Sequence, residues 1–83
     1  LGLNEMGNAE LFQVVPNPAN DQVVVNFEGN AQDLTILDLS GRVVKTINAY
    51  TSGAAIDVSD LDSGMFIVTI NKGAKYSTVL LKE

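Results

Sequence analysis

Asp57, Asp60 and Asp62 form the one acidic grouping whose spacing invites chemistry in this 83-residue chain. Carboxylates alternating along a turn could offer oxygen ligands to Ca²⁺, which takes about six to eight of them. The full spaced loop and closing Glu of a known calcium motif are missing, however. Asp60 and Asp62 are more simply read as shaping or capping a turn through bonds to nearby backbone. The chain has no His and no Cys. It therefore lacks the commonest general base, a thiolate nucleophile and the soft ligands of a transition-metal site. No Ser sits in a Gly-x-Ser-x-Gly elbow, and neither a phosphate loop nor a dinucleotide fingerprint is present. The expectation is a non-enzyme with no cofactor and no catalytic metal, weak Ca²⁺ binding at the three aspartates being the one tolerated exception.

Other residues gain meaning from their neighbours. Asp38 precedes Ser40-Gly41 and should shape a hairpin by facing a backbone amide or Arg42. Pro16-Asn17-Pro18 reads as a rigid turn, because each proline removes a backbone donor and restricts the residue before it. Phe66 reads as a core aromatic. Lys75 and Lys82 read as solvated strand charges that discourage edge-to-edge aggregation, and Val79 as a residue that could face the core.

These residues sit among short β-type runs: 11–15, 22–27, 34–39, 42–47, 54–58, 65–71 and 76–82. Gly, Pro, Asn, Asp and Ser clusters separate them. Val23, Val25 and Phe27 alternate onto one face, as do Leu34 and Ile36, and Phe66, Val68 and Ile70. Ser40-Gly41 reads as a two-residue hairpin link with Gly41 at positive φ. Residues 48–53 read as a loop, and residues 59–64 as a turn, with room for one helical turn capped by Ser59. No connection is long enough for a crossover helix, so pairing should be antiparallel. About seven strands at this spacing predict an all-β, immunoglobulin-like antiparallel β-sandwich. The predicted core is Val23, Val25, Phe27, Leu34, Ile36, Val68 and Ile70.

Composition narrows the partners. Charged residues make up 18% of the chain, below the typical figure of about a quarter, with ample apolar content; this argues against disorder. The net charge is −5, and the five basic residues, Arg42, Lys45, Lys72, Lys75 and Lys82, are scattered. Nucleic-acid binding needs a clustered positive patch, and none is present. An anionic membrane surface is disfavoured on the same ground, and no apolar run approaches the roughly 18 residues of a transmembrane helix. Residues 1–10 read as a Gly- and Asn-containing linker ahead of a domain at 11–83. They lack the basic start and apolar centre of a signal peptide. A start at Leu1 is consistent with a fragment, and any export leader would lie upstream.

Three motifs in order change the reading. Val14-Val15-Pro16-Asn17-Pro18-Ala19 opens the folded part, Leu37-Asp38-Leu39-Ser40-Gly41-Arg42-Val43-Val44 lies in the middle, and Leu61-Asp62-Ser63-Gly64-Met65-Phe66-Ile67-Val68 follows, before a Lys-containing last strand. From residue 11 to residue 83 the chain resembles the type A C-terminal sorting domain of the Bacteroidetes type IX secretion system. The matching positions are Pro16, Asn17 and Pro18; Asp38, Gly41 and Arg42; Leu61, Gly64 and Phe66; and Lys82. Departures are Val15 where an aromatic often stands, Phe66 where Tyr is common, and Glu83 where many relatives end in a basic residue.

The resemblance implies an immunoglobulin-like sandwich fused behind an exported cargo. It also implies recognition by the outer-membrane translocon of that system and removal by a sortase-like transpeptidase, with residues 1–10 as the accessible cleavage region. The cargo would pass through the periplasm to the cell surface or medium. No nucleic acid and no direct membrane insertion are expected. Two other classes remain open: a surface adhesion or carbohydrate-binding sandwich, which would show exposed aromatics drawn from Phe12, Tyr50 and Tyr76, and a structural spacer.

Overall fold

A computed structural model describes residues 12–72 and 74–83. Seven strands follow one another: β1 (Phe12–Val15), β2 (Gln22–Phe27), β3 (Gln32–Asp38), β4 (Val43–Tyr50), β5 (Ala55–Asp57), β6 (Gly64–Lys72) and β7 (Ala74–Lys82). They form two antiparallel sheets, ordered β1-β2-β5 and β4-β3-β6-β7. The chain crosses between sheets after β2, β4 and β5. This is the sandwich topology of an immunoglobulin-like domain, and the described residues contain no helix.

Period-two alternation explains the layering. Leu34, Ile36, Val68 and Ile70 face the opposing sheet, where they meet Val23, Val25 and Phe27, and all seven predicted core residues are buried. Each large aliphatic buried this way contributes about 1.5–3 kcal/mol. Phe66 is also buried, as its alternation predicts. The core extends to Val14, Ala19, Ile56 and Val58, which lie in strands or turns too short for alternation to single them out, and to Leu80 on the inner face of β7. Val79 instead points outward and is 39% exposed.

Tyr50 departs most from the sequence reading. Placed in a loop by its neighbours, it is the last residue of β4 and is buried. Strand β5 pairs with β2 only from Asp57 to Ala55, opposite Gln22 to Val24. Beyond that, the β2 backbone needs other partners. Tyr50 Oη accepts the Val25 amide at 2.9 Å. The Gly53 amide reaches the Val25 carbonyl at 3.0 Å, and Ser52 Oγ takes the Phe27 amide at 2.8 Å. The Tyr50 hydroxyl has one proton for two nearby carbonyls, those of Val25 and Ala54. Burial pushes its ionisation up. The Tyr-Thr-Ser-Gly segment thus completes an edge that a three-residue strand leaves open.

Candidate functional site

The hairpin joining β3 to β4 is closed by three residues, not two. The Asp38 amide donates to the Arg42 carbonyl at 2.9 Å, and the Gly41 amide donates to the Asp38 carbonyl at 3.0 Å. A turn of this kind needs a left-handed residue at its third position. Gly41 supplies it at φ +92°. Asp38 organises the loop as its sequence position suggests. One carboxylate oxygen accepts the Ser40 amide at 2.9 Å, the Ser40 hydroxyl at 2.6 Å and the Arg42 amide at 3.0 Å. The other lies 3.2 Å from the Arg42 guanidinium. The Ser40 hydroxyl above all, then the Arg42 amide, holds the Asp38 carboxyl below the usual range.

A second Asp-x-Ser turn leads to the next motif. Asp57 accepts the Ser59 amide at 2.9 Å and its hydroxyl at 2.6 Å, and the Ser59 hydroxyl chiefly keeps its ionisation low. The Leu61 amide then donates to the Val58 carbonyl. Asp57, rather than a helix capped by Ser59, therefore sets this turn. Asp60 pairs with Lys45 at 3.2 Å. Asp57 and Asp60 thus serve separate ends, and no group of three or more potential metal ligands lies among the described residues. Leu61 packs against the core. Gly64, at φ +145°, opens β6 in a conformation that L side chains rarely adopt.

The strand register brings these motifs together. Asp38 pairs with Phe66 and Phe66 with Leu80, while Gly64 pairs with Lys82. An open groove of about 670 Å³ lies between the hairpin and the 60–66 segment, lined by Asp38, Leu39, Arg42, Leu61, Gly64 and Phe66 among others. Five of the ten motif residues thus share one hollow with the exposed Leu39 at its lip, and Gly41 sits in the hairpin beside it.

Pro16-Asn17-Pro18 does more than turn the chain. The Asn17 carboxamide behaves like a peptide unit. Its nitrogen donates to the Val79 carbonyl at 2.8 Å, and its oxygen accepts the Leu81 amide at 2.9 Å. Next to it the Ala19 amide donates to the Leu81 carbonyl at 2.7 Å, and the Glu83 amide donates to the Ala19 carbonyl at 2.8 Å. Ala19 and Lys82 form a parallel bridge, an exception to the antiparallel expectation. The segment is a strap along the outer edge of β7. The prolines fit there because they face outward and owe the sheet no donor. Sequence reasoning missed the strap, since no local signal says that Asn17 meets residues more than sixty positions away.

Lys82 is half-buried rather than freely exposed, and its ammonium donates to the Glu83 carbonyl at 3.0 Å. All ten motif residues therefore lie along one end of the four-stranded sheet, in the order hairpin, groove, last strand and strap.

A family model described as a secretion system C-terminal sorting domain matches residues 13–82. The chain belongs to the type IX secretion C-terminal sorting domain family. No curated protein and no solved structure matches it significantly. As a sorting domain it marks an exported protein and follows its cargo in the chain. The matched span takes in all three motifs and the strap, so the residues gathered at one end all fall within the family's pattern. The linker expected at residues 1–10 lies outside the described residues.

Aromatic side chains of this sorting domain do not form a platform. Tyr50 is buried, and Phe12 and Tyr76 are half-buried against the core with ring centroids 6.2 Å apart. A carbohydrate-binding sandwich would present flat rings to solvent.

Proposed function

We propose that this domain acts as a signal and not as a catalyst, and that the translocon of the type IX system reads it at the end where the ten motif residues gather. The carrying observation is that gathering. Residues from four stretches of sequence, 16–18, 38–42, 61–66 and 82, converge on one end through β-sheet register and the Asn17 strap. A signal used behind many cargoes must form its recognition surface without their help, and a self-contained sandwich does so. Arg42 is largely exposed although its partner Asp38 is held in the turn, so the hairpin offers a charged group in a fixed place at little cost in core packing.

In this reading the cargo is delivered from the periplasm to the cell surface, and a sortase-like transpeptidase then cuts near residues 1–10. A Gly- and Asn-containing stretch suits an extended passage through a peptidase active site. The test is a reporter with a signal peptide fused ahead of residues 1–83, expressed in a host with this secretion system. Surface reporter bearing a new C-terminus within or just before residues 1–10, identified by mass spectrometry, is the expected result. Surface reporter that keeps the intact domain would overturn the cleavage step. Reporter held wholly in the periplasm would overturn the whole reading.

A further inference from the structure

The outward face of the four-stranded sheet is divided. Strand register sets Thr46, Thr35, Thr69 and Ser77 in one row across β4, β3, β6 and β7. Thr46 and Ser77 at the two sides are exposed and Thr35 is half-buried, as the polar face of a sandwich should be, while Thr69 between them is buried with no hydrogen-bond partner for its Oγ1 among the described residues. The next row toward the motif end is Val43, Leu37, Ile67 and Val79, and beyond it Met65 pairs with Leu81. Val43 is 53% exposed, Met65 46% and Leu81 41%. Six adjoining aliphatic side chains replace the polar half of the alternation at one end only. Contiguous apolar surface of this kind marks an interaction site.

Three observations say what covers it. First, the patch runs into the motif groove, because Val43 and Met65 line both. Second, the adjacent β7 edge is occupied at the Val79 carbonyl, at both Leu81 groups and at the Glu83 amide. A partner cannot extend the sheet there by adding a strand and must lie across the face instead. Third, the groove carries an unbalanced charge. Asp38 is paired with Arg42 and Asp60 with Lys45. Asp62, beside Met65 in the same lining, makes no ion pair or hydrogen bond among the described residues.

We infer that Leu37, Val43, Met65, Ile67, Val79 and Leu81 form the docking face of the signal, seating an aliphatic segment of the outer-membrane receptor whose basic side chain meets Asp62. This rests on the sorting reading above. The same fusion tests it. The triple variant Val43→Thr, Met65→Gln, Val79→Thr keeps strand-compatible shapes while making three of the six apolar side chains polar. Its surface delivery should fall about tenfold or more, as loss of a central apolar contact set does, with the melting midpoint of the purified fusion unchanged. Asp62→Lys, at an exposed position, supplies the same reading should the triple variant melt early, and Asp62→Asn should lie between it and the parent. A photoreactive phenylalanine analogue at Leu81 should crosslink to an outer-membrane protein, while one at Gln13 on the other sheet should not. Parental delivery of both the triple variant and Asp62→Lys would overturn the docking face alone. So would a crosslink from position 81 to a second copy of the fusion. Failure of the unmodified fusion to reach the surface would overturn the sorting reading and the docking face together.

Discussion

Asp38-Leu39-Ser40 and Asp57-Val58-Ser59 are the same turn written twice, with opposite fates for the middle residue. In both, one aspartate oxygen accepts the serine amide at 2.9 Å and the serine hydroxyl at 2.6 Å. Val58 is fully buried, and its amide donates to the Asp21 carbonyl at 2.8 Å. Leu39 is 66% exposed at the lip of the groove. Local chemistry sets the shape of each turn, whereas the position of the turn in the sandwich decides whether it anchors or presents. The Asp57 turn carries the chain from β5 into β6 across the core. The Asp38 turn is the free end of a hairpin. A leucine left in water at such a place stabilises nothing in the fold, which is a reason to look for its use outside the fold.

Breaking each turn separates these roles. Val58→Ala should have the largest effect on stability, about 2 kcal/mol, through lost burial and the cavity left behind. Denaturant unfolding of the purified domain measures it. Gly41→Val should cost about 1–2 kcal/mol, because a β-branched residue resists φ +92° even though nothing stands within 4 Å of its added Cβ. An unchanged midpoint would contradict the strained-turn account.

Acid titration sharpens the comparison further. Both carboxyls ionise more readily in the folded chain than in an unfolded one. Each therefore adds stability at neutral pH that is lost as pH falls through its lowered folded value. Asp38→Asn and Asp57→Asn should each lower the neutral melting midpoint modestly and flatten its decline in acid. The two together should flatten it more than either alone, and a melting profile in acid identical to the parent's would sink this assignment. Leu39→Ser should move stability least, by no more than about 0.5 kcal/mol.

Much of the fold was legible in the sequence because alternation survives in long strands. The seven strands and the seven core residues needed only period-two spacing between turn clusters. Short elements were the weak point. Tyr50 looked like part of a loop because Asn48, Thr51, Ser52 and Gly53 surround it, and only the shortness of β5 explains why a phenol is needed there. Ser59 looked like a helix cap because the local sequence does not reveal that Asp57 reaches it first. The candidate site was readable as three motifs in order but not as one end of a sheet. That convergence depends on register between distant strands and on Asn17 acting as a stand-in peptide against β7, neither of which has a local signature. The apolar rows on the outer face were hidden for a related reason: in a strand such as β6, with large aliphatics on both faces, alternation alone does not say which face is dry.

The central claim is that the motif end is read by the secretion machinery and is not merely part of a stable fold. The most direct measurement compares two surface changes in the reporter fusion, Leu39→Ser at the hairpin and Glu28→Ser at the opposite end of the sandwich, both exposed and neither expected to alter melting. Surface delivery should drop for Leu39→Ser, with reporter accumulating in the periplasm, and stay at the parental level for Glu28→Ser. Equal delivery of the two would contradict the account.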